Sequence, residues 1–207
     1  MFFLGIVSLC ADATYEGARS ITGAYLGTLG ASGTVVSLVA GSGELIGYGL
    51  RLFTGYISDK TRQYWKITTL SYFINTLAVP LLALTGTWQA AATLMIAERT
   101  GKAIRTPARD VLLSHAAIKV GKGFGFGFHA ALDQIGATLG PLLVAAMLYF
   151  QLGYRAGFGI LAVPAFLGLT ALLVLQQIYP NPRDFEPGAF EIKGECLPRL
   201  FWVDLGL

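Results

Sequence analysis

Ionisable residues stand inside apolar stretches of this chain, where their types could carry a proton or hold a charged solute across a nonpolar barrier. Ser8, Asp12, Tyr15, Arg19 and Thr22 recur at three- and four-residue spacing, so a helix would line them along one face. Glu16 lies one helical turn from Asp12 and beside Arg19, an expected ion pair. A charged side chain near a bilayer centre costs roughly 2.5–3.5 kcal/mol, so such groups face a partner or a water-filled cavity. Carboxylates there can exchange protons, and guanidinium or ammonium groups can neutralise them or bind an anion.

Three other segments carry such groups. Glu44 stands alone in the second apolar run, with Arg51 nearer its end. Glu98, Arg99 and Lys102 open a basic stretch that continues to Arg105 and Arg109. There the spacing predicts a Glu98–Lys102 pair and a cavity-lining Arg99. For Arg105 and Arg109, snorkelling to the membrane interface is at least as good a reading as substrate contact. His129 and Asp133 share a face with Gly136 and Gly140, followed by Pro141. His129 is a candidate proton carrier, and a packed polar residue is the commoner fate of a lone histidine.

The elements that must position these groups are membrane helices. Apolar residues make up 54% of the 207-residue chain and charged residues 13%, half the usual share in a soluble domain. With about 20 residues per spanning helix, the chain has room for about six. The apolar runs fall at about 2–26, 34–54, 67–84, 88–111, 124–150 and 158–178, with a polar loop expected over Ser58–Gln63. Pro180 and Pro182 end the last run. The expected organisation is an all-α membrane protein: a six-helix bundle over 1–180, then a cytoplasmic linker and the opening of a seventh helix over 181–207. Gly23/Gly27 and Gly43/Gly47 have the spacing of close helix contacts.

Basic residues orient the bundle. Lys60, Arg62 and Lys66 follow the second run, and Arg105, Arg109, Lys119 and Lys122 the end of the fourth. Arg183, Lys193 and Arg199 follow the sixth, and the opposite connections hold only Arg155. The N-terminus is therefore expected in the cytoplasm and the protein in the plasma (inner) membrane. Ala11-Asp12-Ala13 imitates a signal cleavage site, but no basic segment precedes the apolar run.

Several classes are not expected. Cys10, Cys196, His115 and His129 are too scattered for a metal or disulfide framework. The glycine runs Gly41-Ser42-Gly43 and Gly123–Gly127 neither follow a strand nor end in Lys-Ser/Thr, so no nucleotide loop is read. Without a catalytic constellation the chain is not read as an enzyme, and no cofactor, metal or nucleic-acid partner is expected.

Three motifs resemble the major facilitator superfamily. The segment Gly55-Tyr56-Ile57-Ser58-Asp59-Lys60-Thr61-Arg62 is similar to its signature between helices two and three, with Gly55, Asp59 and Lys60 matching. Gly127, Gly136, Gly140 and Pro141 are similar to the helix-five motif often associated with proton-linked exporters, without its closing glycines. The segment Glu98–Asp110 resembles the helix-four pattern of prokaryotic members.

The resemblance covers about residues 1–180 and implies the superfamily's N-terminal half, two inverted three-helix repeats. Helices one and four would then line a central cavity, with two and five flanking it and three and six outside. It also implies that Asp59 belongs to a cytoplasmic gating network and Gly136, Gly140 and Pro141 to helix packing.

The expected function is secondary transport of a small solute by alternating access, coupled to protons, with the bilayer and a missing C-terminal six-helix half as partners. Asp12, Tyr15, Glu16, Arg19, Glu44, Glu98, Arg99, Lys102, His129 and Asp133 are the expected pathway residues, and the basic fourth run favours an anionic substrate. A truncated or assembly-only membrane protein is the alternative reading.

Overall fold

The computed structural model describes residues 2–61, 63–118 and 120–180, with the side chain of Asp59 excepted. Arg62, Lys119 and the segment 181–207, including the expected linker and seventh-helix start, lie outside the described residues. Everything regular among the described residues is helical: α1 Phe2–Thr28, α2 Gly33–Thr61, α3 Tyr64–Leu82, α4 Trp88–Ala116, α5 Lys122–Tyr149, α6 Gly153–Ile160 and α7 Ala162–Ile178.

The helices α6 and α7 are one rod interrupted at Leu161. Pro164 explains the break. It has no N–H for the Ile160 carbonyl, and its ring crowds that carbonyl. Counting α6–α7 once, the described chain has the expected order of helical rods. Only α2, α5 and α6–α7 contain stretches long and apolar enough to cross a membrane by composition alone: Gly33–Ser58, Lys122–Tyr149 and Gly153–Ile178. The remaining rods, α1, α3 and α4, do not meet that criterion. Two of them, α1 and α4, carry much of the charge.

Helix ends follow local chemistry. Gly30, at φ 87°, closes α1 by letting Ala31 N–H reach back to Leu26 O at 3.0 Å. Gln151 does the same after α5, with Leu152 N–H on Met147 O at 3.1 Å, but takes φ 58° without being glycine. Thr87 caps α4 by accepting the Ala90 N–H. The polar loop expected over Ser58–Gln63 is far shorter, because α2 continues to Thr61 and α3 begins at Tyr64.

The packing has two centres. The first helix, α1, lies chiefly against α5 and α7, and α4 lies chiefly against α2 and α3. One apolar cluster, around Tyr25, Leu26, Val79, Leu82 and Phe158, fills the end where α1 finishes. A second, around Leu4, Trp65, Tyr72, Leu112 and Leu172, fills the end where α1 begins. The Tyr25 hydroxyl ties the first end together, lying 2.9 Å from Thr85 O and 3.2 Å from Leu82 O. The polar groups occupy the zone between the clusters. Large apolar side chains point outward, among them Leu52 (80% exposed), Leu45, Phe53, Leu84, Leu142 and Phe166, a surface suited to hydrocarbon.

Glycines set the closest approaches. A Cβ on Gly136 or Gly140 would run into the backbone carbonyls of Leu9 and Ala13, so α5 lies directly on the α1 backbone. Gly101 brings α4 onto α3, where an added Cβ would stand 2.6 Å from Asn75 N. The motif residue Gly127 behaves differently, as do Gly27 and Gly47: a Cβ on each meets nothing within 4 Å. The helix contact expected of Gly27 and Gly47 from their spacing is corrected, because each faces away from neighbouring helices. Gly23 makes only ordinary contact with Val36, and Gly55 with Pro107.

Candidate functional site

The charged groups form one ladder across α1, α2, α4 and α5. At its deepest point Arg105, 1% exposed, donates to Asp12 at 2.8 Å and lies over the Tyr72 ring. Lys102 Nζ lies 3.9 Å from Asp12 and 3.6 Å from Glu16, and rests 3.2 Å above the Tyr15 ring. The four-residue spacing of Asp12 with Glu16, and the three- and four-residue spacings of Lys102, Arg105 and Arg109, put both rows on facing stripes, and the glycine contacts set their neighbours' distances.

Glu44 joins α2 to this ladder. It accepts from Arg99 at 2.6 Å and stands 3.7 Å from Arg19, which also approaches Glu16 at 3.8 Å. Arg99 further donates to Ala40 O at 3.3 Å. Gly43 makes that route possible, since a Cβ there would meet Arg99 Cδ at 2.5 Å. At the other end Arg109 donates to Ser8 at 3.1 Å and to Asp110 at 3.0 Å, and lies 3.7 Å from Asp133. His129 Nε2 is 3.7 Å from the other Asp133 oxygen, beyond hydrogen-bond reach.

Pro107 adds a joint within α4. It leaves the Ala103 carbonyl without its helical donor, and the Thr54 hydroxyl of α2 approaches that oxygen at 3.5 Å.

Two cavities open onto the ladder. One, of about 150 Å³, is lined by Tyr15, Arg19, Glu44, Tyr48, Arg51, Arg99 and Lys102, among others. The second, of about 340 Å³, lies toward the end where α1 finishes and is lined by Thr22, Val36 and Met95, among others. Arg19, Glu44 and Arg99 border both, so this ion cluster stands at the boundary between them.

Most of the residues picked out by type and spacing come together: Asp12, Tyr15, Glu16, Arg19, Glu44, Arg99, Lys102, His129 and Asp133 all lie on or beside the ladder. Glu98 does not. Its expected partner Lys102 turns to Asp12 and Glu16, while Glu98, 7% exposed, faces α3 and receives the Asn75 amide at 3.2 Å. The same amide donates to Glu98 O at 2.9 Å. The pairing is corrected because Glu98 and Lys102, though one turn apart, are drawn to different neighbouring helices.

Arg105 and Arg109, open to an interface reading by spacing, are instead inside, since Asp12, Ser8 and Asp133 offer them partners. Asn75 and Tyr72 were missed. A buried amide within an uncharged run was the available signal for Asn75. Lys60 sits at the end of α2 with Nζ 5.9 Å from the Tyr56 ring centre.

Comparison with known proteins agrees with this architecture. The Major Facilitator Superfamily sequence model matches residues 2–205. An uncharacterized protein of Mycobacterium tuberculosis is 45% identical over 209 residues, covering 98% of this chain and 51% of the relative. An uncharacterized MFS-type transporter of Methanocaldococcus jannaschii is 33% identical over 183 residues, covering 88% of this chain and 46% of the relative. The chain thus spans about half the length of these curated relatives. A crystal structure of a mutant of the peptide transporter POT, in complex with sulfate, superposes with TM-score 0.68 at 22% identity, over 85% of this chain and 37% of that one. At that identity the likeness concerns the fold. The matched family model, the helical architecture and the charged interior agree: the chain is a multi-pass membrane protein that belongs to the major facilitator superfamily.

Proposed function

We propose that this chain is the six-helix N-terminal half of a secondary transporter, working by alternating access and coupled to protons. The observation that carries the reading is the ladder itself. Acids and bases on α1, α2, α4 and α5 are held together, buried at Asp12 and Arg105 and open at Arg19 and Glu44, and ionisable groups inside membrane proteins mark solute or proton pathways. The same point supports six spans. The rods α1 and α4 are too charged to qualify by composition, but Asp12, Lys102, Arg105 and Arg109 find partners on other helices, while their lengths of 27 and 29 residues exceed what a bilayer needs.

The arrangement of helices supports two inverted repeats. Exchanging α1 with α4, α2 with α5 and α3 with α6–α7 leaves the main contacts unchanged, α1 on α5 and α7 corresponding to α4 on α2 and α3. In this reading the N-terminus is cytoplasmic, the membrane is the plasma (inner) membrane, and Asp59 and Lys60 belong to a cytoplasmic gate. Gly136, Gly140 and Pro141 keep α5 against α1 during rocking. Asp12, Glu16, Glu44 and Asp133 are the proton-exchanging candidates, and the second half completes the cavity.

The test is solute flux in proteoliposomes under an imposed pH gradient, with the chain alone and with the polypeptide encoded directly downstream. Flux that depends on the gradient and is lost in Asp12→Asn supports the reading. No flux in either preparation favours a non-transporting fragment, and flux unchanged by Asp12→Asn removes coupling through Asp12.

A further inference from the structure

The smaller cavity holds more positive charge than its neighbours neutralise. Its lining contains Arg19, Arg51, Arg99 and Lys102 against one carboxylate, Glu44. Glu44 is taken by Arg99 at 2.6 Å. The nearby Asp12 is taken by Arg105 at 2.8 Å. Lys102 and Arg19 have carboxylates only at 3.6–3.9 Å, beyond hydrogen-bond distance.

Arg51 has no carboxylate partner among the described residues. Its Nε is buried without a hydrogen-bond acceptor, and its guanidinium lies 5.3 Å from the centre of the Tyr48 ring. A buried guanidinium N–H left unmade costs free energy comparable to losing a charge-assisted hydrogen bond, so the group needs an acceptor. Tyr15 and Tyr48 add phenolic hydroxyl and ring surface to the same wall.

We propose that this cavity is the binding site for an oxyanion group of the solute, a carboxylate or phosphate, with Arg51 as its principal ligand and Lys102 and Arg19 as supporting cations. The inference rests on the transport reading for the solute's fate but not for its binding. A cavity of about 150 Å³ accommodates one such group, with the rest of the solute extending past Glu44 toward the larger cavity. Guanidinium is suited to this role because its planar fork matches both acceptors. The Arg99–Glu44 pair then limits the site to one oxyanion, since Arg99 is already neutralised.

Thermal unfolding of the purified chain in detergent, at constant ionic strength set with chloride, reads binding directly. The probes are butyrate, its neutral isostere butyramide, and inorganic phosphate. Butyrate or phosphate should raise the midpoint, and butyramide should not; which of the two anions acts more strongly distinguishes carboxylate from phosphate. Arg51→Gln should weaken the stabilising anion about 10- to 100-fold, as expected for a lost charge-assisted contact, Arg51→Lys should weaken it less, and Arg155→Gln should leave it unchanged.

Equal shifts with butyrate and butyramide, no shift with either anion, or an unaltered response in Arg51→Gln overturns the proposal. The comparison on the unaltered chain decides the matter even if Arg51→Gln does not fold. Anion binding without flux in proteoliposomes would keep the site and remove the transport reading. Flux of a neutral or cationic solute without anion binding would do the reverse.

Discussion

Removing the guanidinium of Arg105 should destabilise the bundle more than any other single change among its charges. Asp12 is 12% exposed at its side chain and has two cations near it, Arg105 at 2.8 Å and Lys102 at 3.9 Å. At an effective dielectric of about 20, unit charges at those separations attract by about 6 and about 4 kcal/mol before desolvation. Arg105→Gln forfeits the larger of these together with its hydrogen bond, while relief from burying the guanidinium returns part. Lys102 cannot close in freely, because its ammonium is seated on the Tyr15 ring at 3.2 Å. The net cost should be about 3–5 kcal/mol, the range found when one member of a buried pair is removed.

Asp12→Asn should cost less, because Arg105 keeps the Tyr72 ring beneath it. In the double variant the two losses should overlap, with a coupling of about 2–3 kcal/mol. Reversible unfolding in mixed micelles, run on all members of the cycle, measures it. Losses that simply add, to within about 0.5 kcal/mol, would refute the claim that Asp12 and Arg105 act as a pair.

Other outcomes follow from single contacts. Gly140→Ala should cost about 1–3 kcal/mol by pushing α5 off the Ala13 carbonyl, whereas Gly127→Ala, facing open space, should be neutral or slightly stabilising; unfolding midpoints of the two variants compare them. Asn75→Ala should cost about 1–3 kcal/mol by leaving the buried Glu98 carboxylate without its amide donor, and Asn75→Gln should not restore it because the longer side chain must fit where Gly101 touches the backbone; chemical denaturation of both variants tests this. Gln151→Gly should stabilise by about 1 kcal/mol, since residue 151 holds a left-handed φ of 58° in closing α5; a lower unfolding midpoint would contradict the reading of that turn.

Much of the site could be read before any coordinates, for a physical reason. Charges inside apolar runs are costly enough that their presence alone marks them, and helical spacing alone assigns them to faces. That is why Asp12, Glu16, Arg19, Glu44, Arg99, Lys102 and Asp133 were recognisable as members of one polar system. The same logic failed at Glu98. Local spacing offered Lys102 as a partner, but a side chain on a packed helix chooses among all the helices around it, and Asn75 reached it from α3.

It left Arg105 and Arg109 open between the membrane interface and the interior. Position along a helix gives depth, but not whether a carboxylate waits on the neighbouring helix. Glycine spacing was equally ambiguous. Gly136 and Gly140 meet a backbone, while Gly27 and Gly47, each also four residues from another glycine, meet nothing within 4 Å.

The sequence by itself determined the membrane character, the order of the helices and which apolar runs carry ionisable groups. These depend on composition and on periodicities of a few residues, both local properties of the chain. Only the tertiary structure decided which acid meets which base, that Arg105 lies inside with Asp12, and that Arg51 is left with no carboxylate among the described residues. Those outcomes depend on distances between helices far apart in sequence, which glycine contacts and packing set and residue spacing cannot.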